Sequence, residues 1–346
     1  MLDVKEENHY MKKTRKALAS LAIAGMVLTM VPFNVFATGT VPTRLAGTTA
    51  AQTAVAIANQ TGWTGTAILA SSESYGESDA LTVGPLAFCL KAPILLTGAG
   101  ALDTDTEAEL TKLAVKTVYV TSGTAVINQA VLDQLTGMGI TVVPLGGVDR
   151  IETSVNIARK MVALGVHVTK VAVAYGWLNQ DALSIGSIAS ASNEPILLTE
   201  RDSVPASVQA FLTTNTNITS SDVIGGTGVI GDEVKTIFPN ATRHYGNTPF
   251  DTNNQVIQDF SSSLDFKNVY MANIATGIDA LAGVPLAAQT KSAIVLMDGT
   301  IRADAVTTFV YSKLATSSVI TALGGEAVIP ETVRLGLHTE PLHPAP

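Results

Sequence analysis

The chain has 346 residues, room for two or three domains at roughly 100–200 residues each. Hydrophobic residues make up 47 % and charged residues only 14 %, against about 25 % in ordinary soluble domains; this suits packed sheets and small-residue helices, not disorder. With 21 Lys+Arg against 29 Asp+Glu the net charge is −8, so the basic footprint that nucleic-acid binding needs is absent.

Residues 11–37 open with Lys12, Lys13, Arg15 and Lys16, run apolar over 17–31, and end with Val35 and Ala37 at the −3 and −1 positions of a small-residue site. These are the parts of a secretory signal peptide, so residues 1–37 are expected to be an export signal whose natural start is Met11. The apolar run is short for a span of about 20 residues. Membrane contact is therefore expected only through this peptide before cleavage near Thr38. The remaining chain carries 16 basic against 26 acidic residues. Its single cysteine, Cys89, sits in an apolar run and is expected to be a buried core thiol.

The rest repeats itself three times. Each unit opens with Gly followed six residues later by Thr: Gly47…Thr53, Gly147…Thr153, Gly246…Thr252. An Asp-Ala-Leu follows at Asp79, Asp181 and Asp279, spaced 102 and 98 residues apart. Next comes an apolar strand: Ile94-Leu95-Leu96-Thr97, Ile196-Leu197-Leu198-Thr199, then Ile294-Val295-Leu296-Met297. A Gly-containing turn closes the series at Ser122-Gly123, Gly225-Gly226 and Gly324-Gly325. Several marks in one order at one period define a repeat architecture.

In the first unit the pattern predicts helix 53–60, strand 67–70, helix 79–90, strand 94–97, helix 104–113, strand 118–121, helix 126–135 and strand 141–144. The strands are short, continuous Val/Ile/Leu runs, as for strands covered on both faces. Alternation with helices implies βαβ crossovers and a parallel sheet. The expected fold is α/β: three tandem, pseudo-symmetric, doubly wound parallel-sheet repeats of about 100 residues each, packed as one body around a pseudo-threefold axis. The boundaries are read as signal peptide 1–37, repeat 1 at 38–142, repeat 2 at 143–240, repeat 3 at 241–337 and a disordered tail at 338–346.

Asp-Ala-Leu, Pro-Ile-Leu-Leu and Gly-Gly-Thr-Gly-Val-Ile, in triplicate behind a signal peptide, closely resemble the cell wall binding repeat type 2 family over about residues 41–337. The resemblance implies an α/β trimer-like module of a Gram-positive surface protein. It also implies non-covalent binding of an anionic secondary wall polymer, teichoic-acid-like or a related wall glycan, at the cell wall or cell surface. The family opens each repeat with Arg-x-x-Gly-x-Asp-Arg-Tyr-x-Thr. Here the first unit keeps Arg44 but has Thr49, Ala50 and Ala51 for Asp, Arg and Tyr. The second has Pro144 for the first Arg and keeps Asp149 and Arg150. The third keeps Arg243 but reads Thr248, Pro249 and Phe250.

The candidate polymer contacts are Arg44, Arg150 and Arg243, whose guanidinium forks suit anions. Asp79, Asp181 and Asp279 are added, with Thr97 and Thr199 at C-terminal strand ends where parallel sheets bind ligands. An intramolecular ion pair is the competing reading for each Arg, and a helix N-cap for each Asp. Ile94, Leu95, Leu96, Ile196, Leu197 and Leu198 are read as strand residues supporting a groove. Trp63 and Trp177 are read as packing residues or sugar platforms.

Neither a cofactor nor a metal is expected. The histidines after the signal, His167, His244, His338 and His343, form no HExxH. There is no GxSxG, and carboxylates recurring once per unit are unlike a catalytic pair. No catalytic residue is assigned, and an enzyme is not expected. The alternatives are a wall-remodelling, amidase-associated protein and a surface-layer or adhesin component.

Overall fold

The computed structural model describes residues 42–300 and 305–337; the signal-peptide reading and the tail 338–346 lie outside them. All described residues belong to one compact unit, 41–346. The chain runs β1 (Arg44–Leu45), α1 (Ala50–Thr61), β2 (Thr66–Ser71), α2 (Ser74–Glu77), α3 (Gly84–Leu90), β3 (Ile94–Thr97), α4 (Thr104–Lys112), β4 (Thr117–Val120), α5 (Gln129–Gly137) and β5 (Thr141–Pro144). The second unit has α6 (Arg150–Ala163), β6 (Lys170–Tyr175), α7 (Asn179–Ala191), β7 (Ile196–Thr199), α8 (Ala206–Thr214), β8 (Ser220–Ile224), α9 (Asp232–Ile237) and β9 (Ala241–His244). The third has α10 (Pro249–Asp259), β10 (Asn268–Asn273), α11 (Ile278–Gln289), β11 (Ile294–Met297), α12 (Ala305–Lys313), β12 (Val319–Leu323) and α13 (Glu331–Gly336).

These strands form three parallel four-stranded sheets, ordered β3-β2-β4-β5, β7-β6-β8-β9 and β11-β10-β12-β1. In each, the first strand of the unit is central, the second lies on one side and the third on the other, which is doubly wound. The fourth strand comes from the start of the following unit. β5 leads into α6, and β9 leads into α10. The ring closes when β1, at the start of the described chain, pairs with β12 through Arg44↔Ala322 and Leu45↔Leu323.

The helices follow the same cyclic rule. α1 packs on α11, α6 on α3, and α10 on α7, so each opening helix leans on the central helix of the preceding unit. The central helices α3, α7 and α11 all touch one another. Asp-Ala-Leu plus five residues marks their closest approach: Gly84, Gly186 and Val284. A Cβ on Gly186 would lie 2.9 Å from Val284, and one on Gly84 would meet both Val284 and Ser190. One valine thus fills the space that two glycines leave.

The Gly…Thr motif has a local cause. The Thr53, Thr153 and Thr252 hydroxyls accept from the Gly47, Gly147 and Gly246 N–H groups at 3.1, 2.9 and 3.1 Å. Just inside that loop Thr49, Asp149 and Thr248 are N-caps, accepting from the third helical N–H. The position that looked degenerate at Thr49 and Thr248 therefore keeps its capping chemistry.

The Ile-Leu-Leu strands are wholly buried. In β3 the two-residue period points Ile94 and Leu96 into the core shared between units and Leu95 into the outer layer of its own. In the second unit Ile196, Leu197 and Leu198 all join the shared core. Three expectations need correction. The helix predicted over 79–90 begins only at Gly84, because residues 78–82 form turns ahead of Pro85. The helix predicted over 126–135 begins at Gln129, after a turn through 124–126. Cys89 is half-buried rather than fully buried. Among the described residues no helix is long and apolar enough to cross a membrane.

Substituting Gly186→Val overpacks the helix contact and is expected to cost about 1–3 kcal/mol or more. Denaturant unfolding checks this; an unchanged midpoint contradicts the close packing of α7 on α11.

Candidate functional site

At the C-terminal ends of the first and third strands of each unit lies the switch point where open α/β sheets bind ligands. There the Asp-Ala-Leu aspartates meet the Gly-containing turns. Gly225 and Gly324 hold φ of 112° and 105°, and the Asp181 and Asp279 carboxylates lie where a Cβ would stand on each. Only glycine combines that backbone angle with that approach. Asp181 and Asp279 lie in the first turns of α7 and α11, but the N-cap residues are Leu178 and Gly277, with no side-chain cap. The expected capping role is therefore not what these carboxylates do. Each is 6 % exposed, and burial pushes Asp181 up to about 7 and Asp279 to about 6.

The first unit departs from this pattern. Ser122 takes the place of the glycine, and Asp79, in a turn, is only partly buried. Burial raises Asp79, opposed by the neighbouring Ser122 hydroxyl and by Arg150 of the next unit. Arg150, the first residue of α6, donates to the Gly176 carbonyl at 3.2 Å and lies 4.7 Å from the centre of the Trp177 ring. The Trp177 indole N–H donates to Glu200 at 2.8 Å, yet the residue stays 51 % exposed. An exposed indole fixed by two contacts, beside a guanidinium and a half-buried carboxyl, marks the junction of units one and two. Corresponding positions hold Ala50 and Pro249 for Arg150, and Tyr75 and Ala275 for Trp177.

The other sequence candidates are placed differently. Arg44 donates to the Gly324 and Ile329 carbonyls at 2.8 and 2.9 Å and pairs with Glu331 at 3.0 Å. Arg243 does the same to Gly225 and Ile230 at 2.7 and 2.8 Å, and pairs with Asp232 at 3.1 Å. Both guanidiniums staple a borrowed strand to the turn of the sheet that borrows it. The Thr97 and Thr199 hydroxyls are buried and donate to the Ala101 and Ser203 carbonyls of their own loops, each at 3.2 Å. Trp63 packs edge-on against Phe88.

Sequence reasoning did not find Glu77. It aligns with Asn179 and Gly277, and its buried carboxylate reaches into the space a Cβ on Gly277 would need. Burial pushes it to about 7, with Asn179 hydrogen bonding opposing and Asp279 reinforcing. Nor did it find a polar cluster where the second unit meets α10 of the third. His244 bonds Asp259 at 2.6 Å and Asp222 at 3.1 Å, while Lys170 pairs with Asp222 and lies 3.8 Å from Glu194. Two cavities also stand out: one of about 560 Å³ lined by Lys267, Lys291 and Lys313 within the third unit, and one of about 590 Å³ beside α10.

The cell wall binding domain 2 (CWB2) family model matches residues 44–132, 145–235 and 243–334. The chain belongs to the CWB2 family. Membership makes it a cell wall binding protein whose place is the cell wall or cell surface. It is 29 % identical over 257 residues to the N-acetylmuramoyl-L-alanine amidase LytC of Bacillus subtilis, covering 74 % of this chain and 50 % of that protein. It is also 29 % identical over 262 residues to the amidase enhancer of the same organism, covering 73 % and 34 %. The chain thus spans half or less of the curated relatives it matches. Two solved structures share the fold. Cwp6 from Clostridium difficile has a TM-score of 0.78 at 25 % identity, covering 88 % of this chain and 51 % of that one. Cwp8 from the same organism has a TM-score of 0.75 at 23 % identity, covering 94 % and 54 %.

The buried acids give the CWB2 ring a pH dependence. Glu77, Asp181, Glu194 and Asp279 bind protons more tightly folded than unfolded, so their neutral forms favour folding and stability falls as pH rises from about 4 towards 7. His244 adds the same sign. Burial lowers it, but its bonds to Asp222 and Asp259 outweigh burial and raise it, so its contribution is lost as pH climbs through the folded value. Asp222 is held low by His244 and Lys170 against its burial, and matters only under stronger acid. The thermal midpoint is expected to fall between pH 5 and pH 8; a flat or rising profile contradicts this assignment.

Proposed function

We propose that this CWB2 protein is exported and holds itself to the Gram-positive wall non-covalently, by binding an anionic secondary wall polymer or a related glycan without chemistry. The junction of units one and two is the contact this reading favours. The observation that carries it is Arg150 stacked on the exposed Trp177 beside Asp79. The guanidinium makes one hydrogen bond to the protein among the described residues, which leaves donors for a phosphate or carboxylate, while the indole offers a flat face to a sugar ring. Arg44, Arg243, Thr97 and Thr199 act here as internal braces, and Asp181 and Asp279 as buried acids of the turns.

A binding role also suits the amidase relatives. The aligned stretches take up about three-quarters of this chain, most of which is repeat, but only 50 % and 34 % of LytC and the amidase enhancer, which suits a shared binding part. Asp181 and Asp279 sit against glycine turns and Asp79 against Ser122, places that the repeat architecture accounts for.

Residues 38–346 are expected to pellet with wall sacculi and to stay in solution once acid has stripped the secondary polymers. Arg150→Ala and Trp177→Ala are expected to weaken pelleting about tenfold each, roughly 1.4 kcal/mol. Equal pelleting on stripped walls, or none on intact ones, contradicts the proposal.

A further inference from the structure

The cavity of about 590 Å³ beside α10 differs in chemistry from the first junction. Its walls are the exit of β9 and the outer face of α10, and they bring together Tyr245, Asn247, Asn254, Gln255 and Gln258. Its size falls within the range of small-ligand sites. Tyr245 is 52 % exposed, with its ring lying on Gly226. Asn254 is only 5 % exposed, and its side-chain carbonyl oxygen has no hydrogen-bond partner. A buried acceptor left unpaired costs about 1–3 kcal/mol unless something donates to it.

These residues are peculiar to this junction. The corresponding positions hold Val55 and Val155 for Asn254, and Ala46 and Gly146 for Tyr245. A valine would fill the space without polar cost, whereas the amide leaves a carbonyl oxygen unpaired where the other two units have no polar atom. The charged groups of the cavity are already committed. Arg243 serves the carbonyls of Gly225 and Ile230. Asp251 accepts from the Thr248 N–H and hydroxyl at 3.0 and 2.9 Å. Asp259 accepts from His244 and from Gln255. What remains to meet a ligand is a phenol face and neutral amides, flanked by two carboxylates that repel an anion.

We infer that this cavity is a second binding site, for a neutral N-acetylated amino sugar rather than for an anionic polymer. The sugar ring stacks on Tyr245, its hydroxyls bond Asn247 and Gln258, and its acetamido N–H meets the Asn254 carbonyl oxygen when that side chain, closed off in the free protein, turns towards the ligand. The site is separate from the Arg150–Trp177 junction, and it stands or falls independently of it.

The test is calorimetric titration of residues 38–346 with the β-1,4-linked tetramer of N-acetylglucosamine, its de-N-acetylated form and the corresponding glucose tetramer. The N-acetylated tetramer is expected to bind one per chain and the other two at least tenfold more weakly. Asn254→Val, which installs the residue of the other two units, and the surface variant Tyr245→Ala are each expected to lower the affinity at least tenfold. Arg150→Ala is expected to leave it unchanged. No binding of the N-acetylated tetramer, equal binding of all three sugars, or loss on Arg150→Ala instead of Tyr245→Ala overturns the inference.

Discussion

Each parallel sheet pairs the outer side of its third strand with a strand from the next unit, so that the backbone N–H and C=O groups on that side bond across the junction. β5 serves the first sheet, β9 the second, and β1 returns to serve the third. Because the same segment then opens the following helix, every junction is fixed twice, by a strand on one side and a helix on the other. Arg44 and Arg243 hold two of the three borrowed strands by their neighbours' turn carbonyls. At the remaining strand the arginine is replaced by Pro144, and there Gly146 lies close against the Ser122-Gly123 backbone. The junctions are products of this closure.

The shared centre imposes a second constraint. Three helices converge, two of them, α7 and α11, with Asp181 and Asp279 in their N-terminal turns; these carboxylates are buried against Gly225 and Gly324, and that of Glu77 against Gly277. Burial drives them towards the neutral form, so the centre is held by protonation and close approach more than by ion pairs. Pseudo-symmetry is then broken side chain by side chain. Ser122 loosens one aspartate pocket, Val284 fills a gap left by Gly84 and Gly186, and Tyr245 and Asn254 open a cavity where the other units carry small or apolar residues. Similar junctions thereby acquire different chemistries.

Much of the fold was legible in the sequence. Ile94–Thr97 and Thr141–Pro144 are strands with the predicted bounds, because continuous Val/Ile/Leu runs between turn residues admit little else. The three-unit period was legible from Gly…Thr and Asp-Ala-Leu. The strand exchange was not: a strand at 141–144 reads the same whichever unit's helices it serves, and β1 is only two residues long. The late start at Gly84 was hidden because Asp-Ala-Leu opens a helix in the second and third units but a turn in the first. Site residues were harder. An arginine in sequence carries no sign of its acceptors, and two of three spend theirs on carbonyls 12–285 residues away. Trp177 gained weight only when Arg150 was found stacked on it, and the polar cluster around His244 has no linear signature, since its members come from β6, β8, β9 and α10.

The central claim is that three units form one closed, cooperative ring. Native-state hydrogen exchange at Leu69, Val173 and Met271, one amide in the central strand of each sheet, tests it most directly. One common opening free energy is expected at all three, lowered together by Arg44→Ala although only the third sheet holds that arginine. Three separate opening energies, with the loss confined to Met271, would contradict it and leave three independent domains.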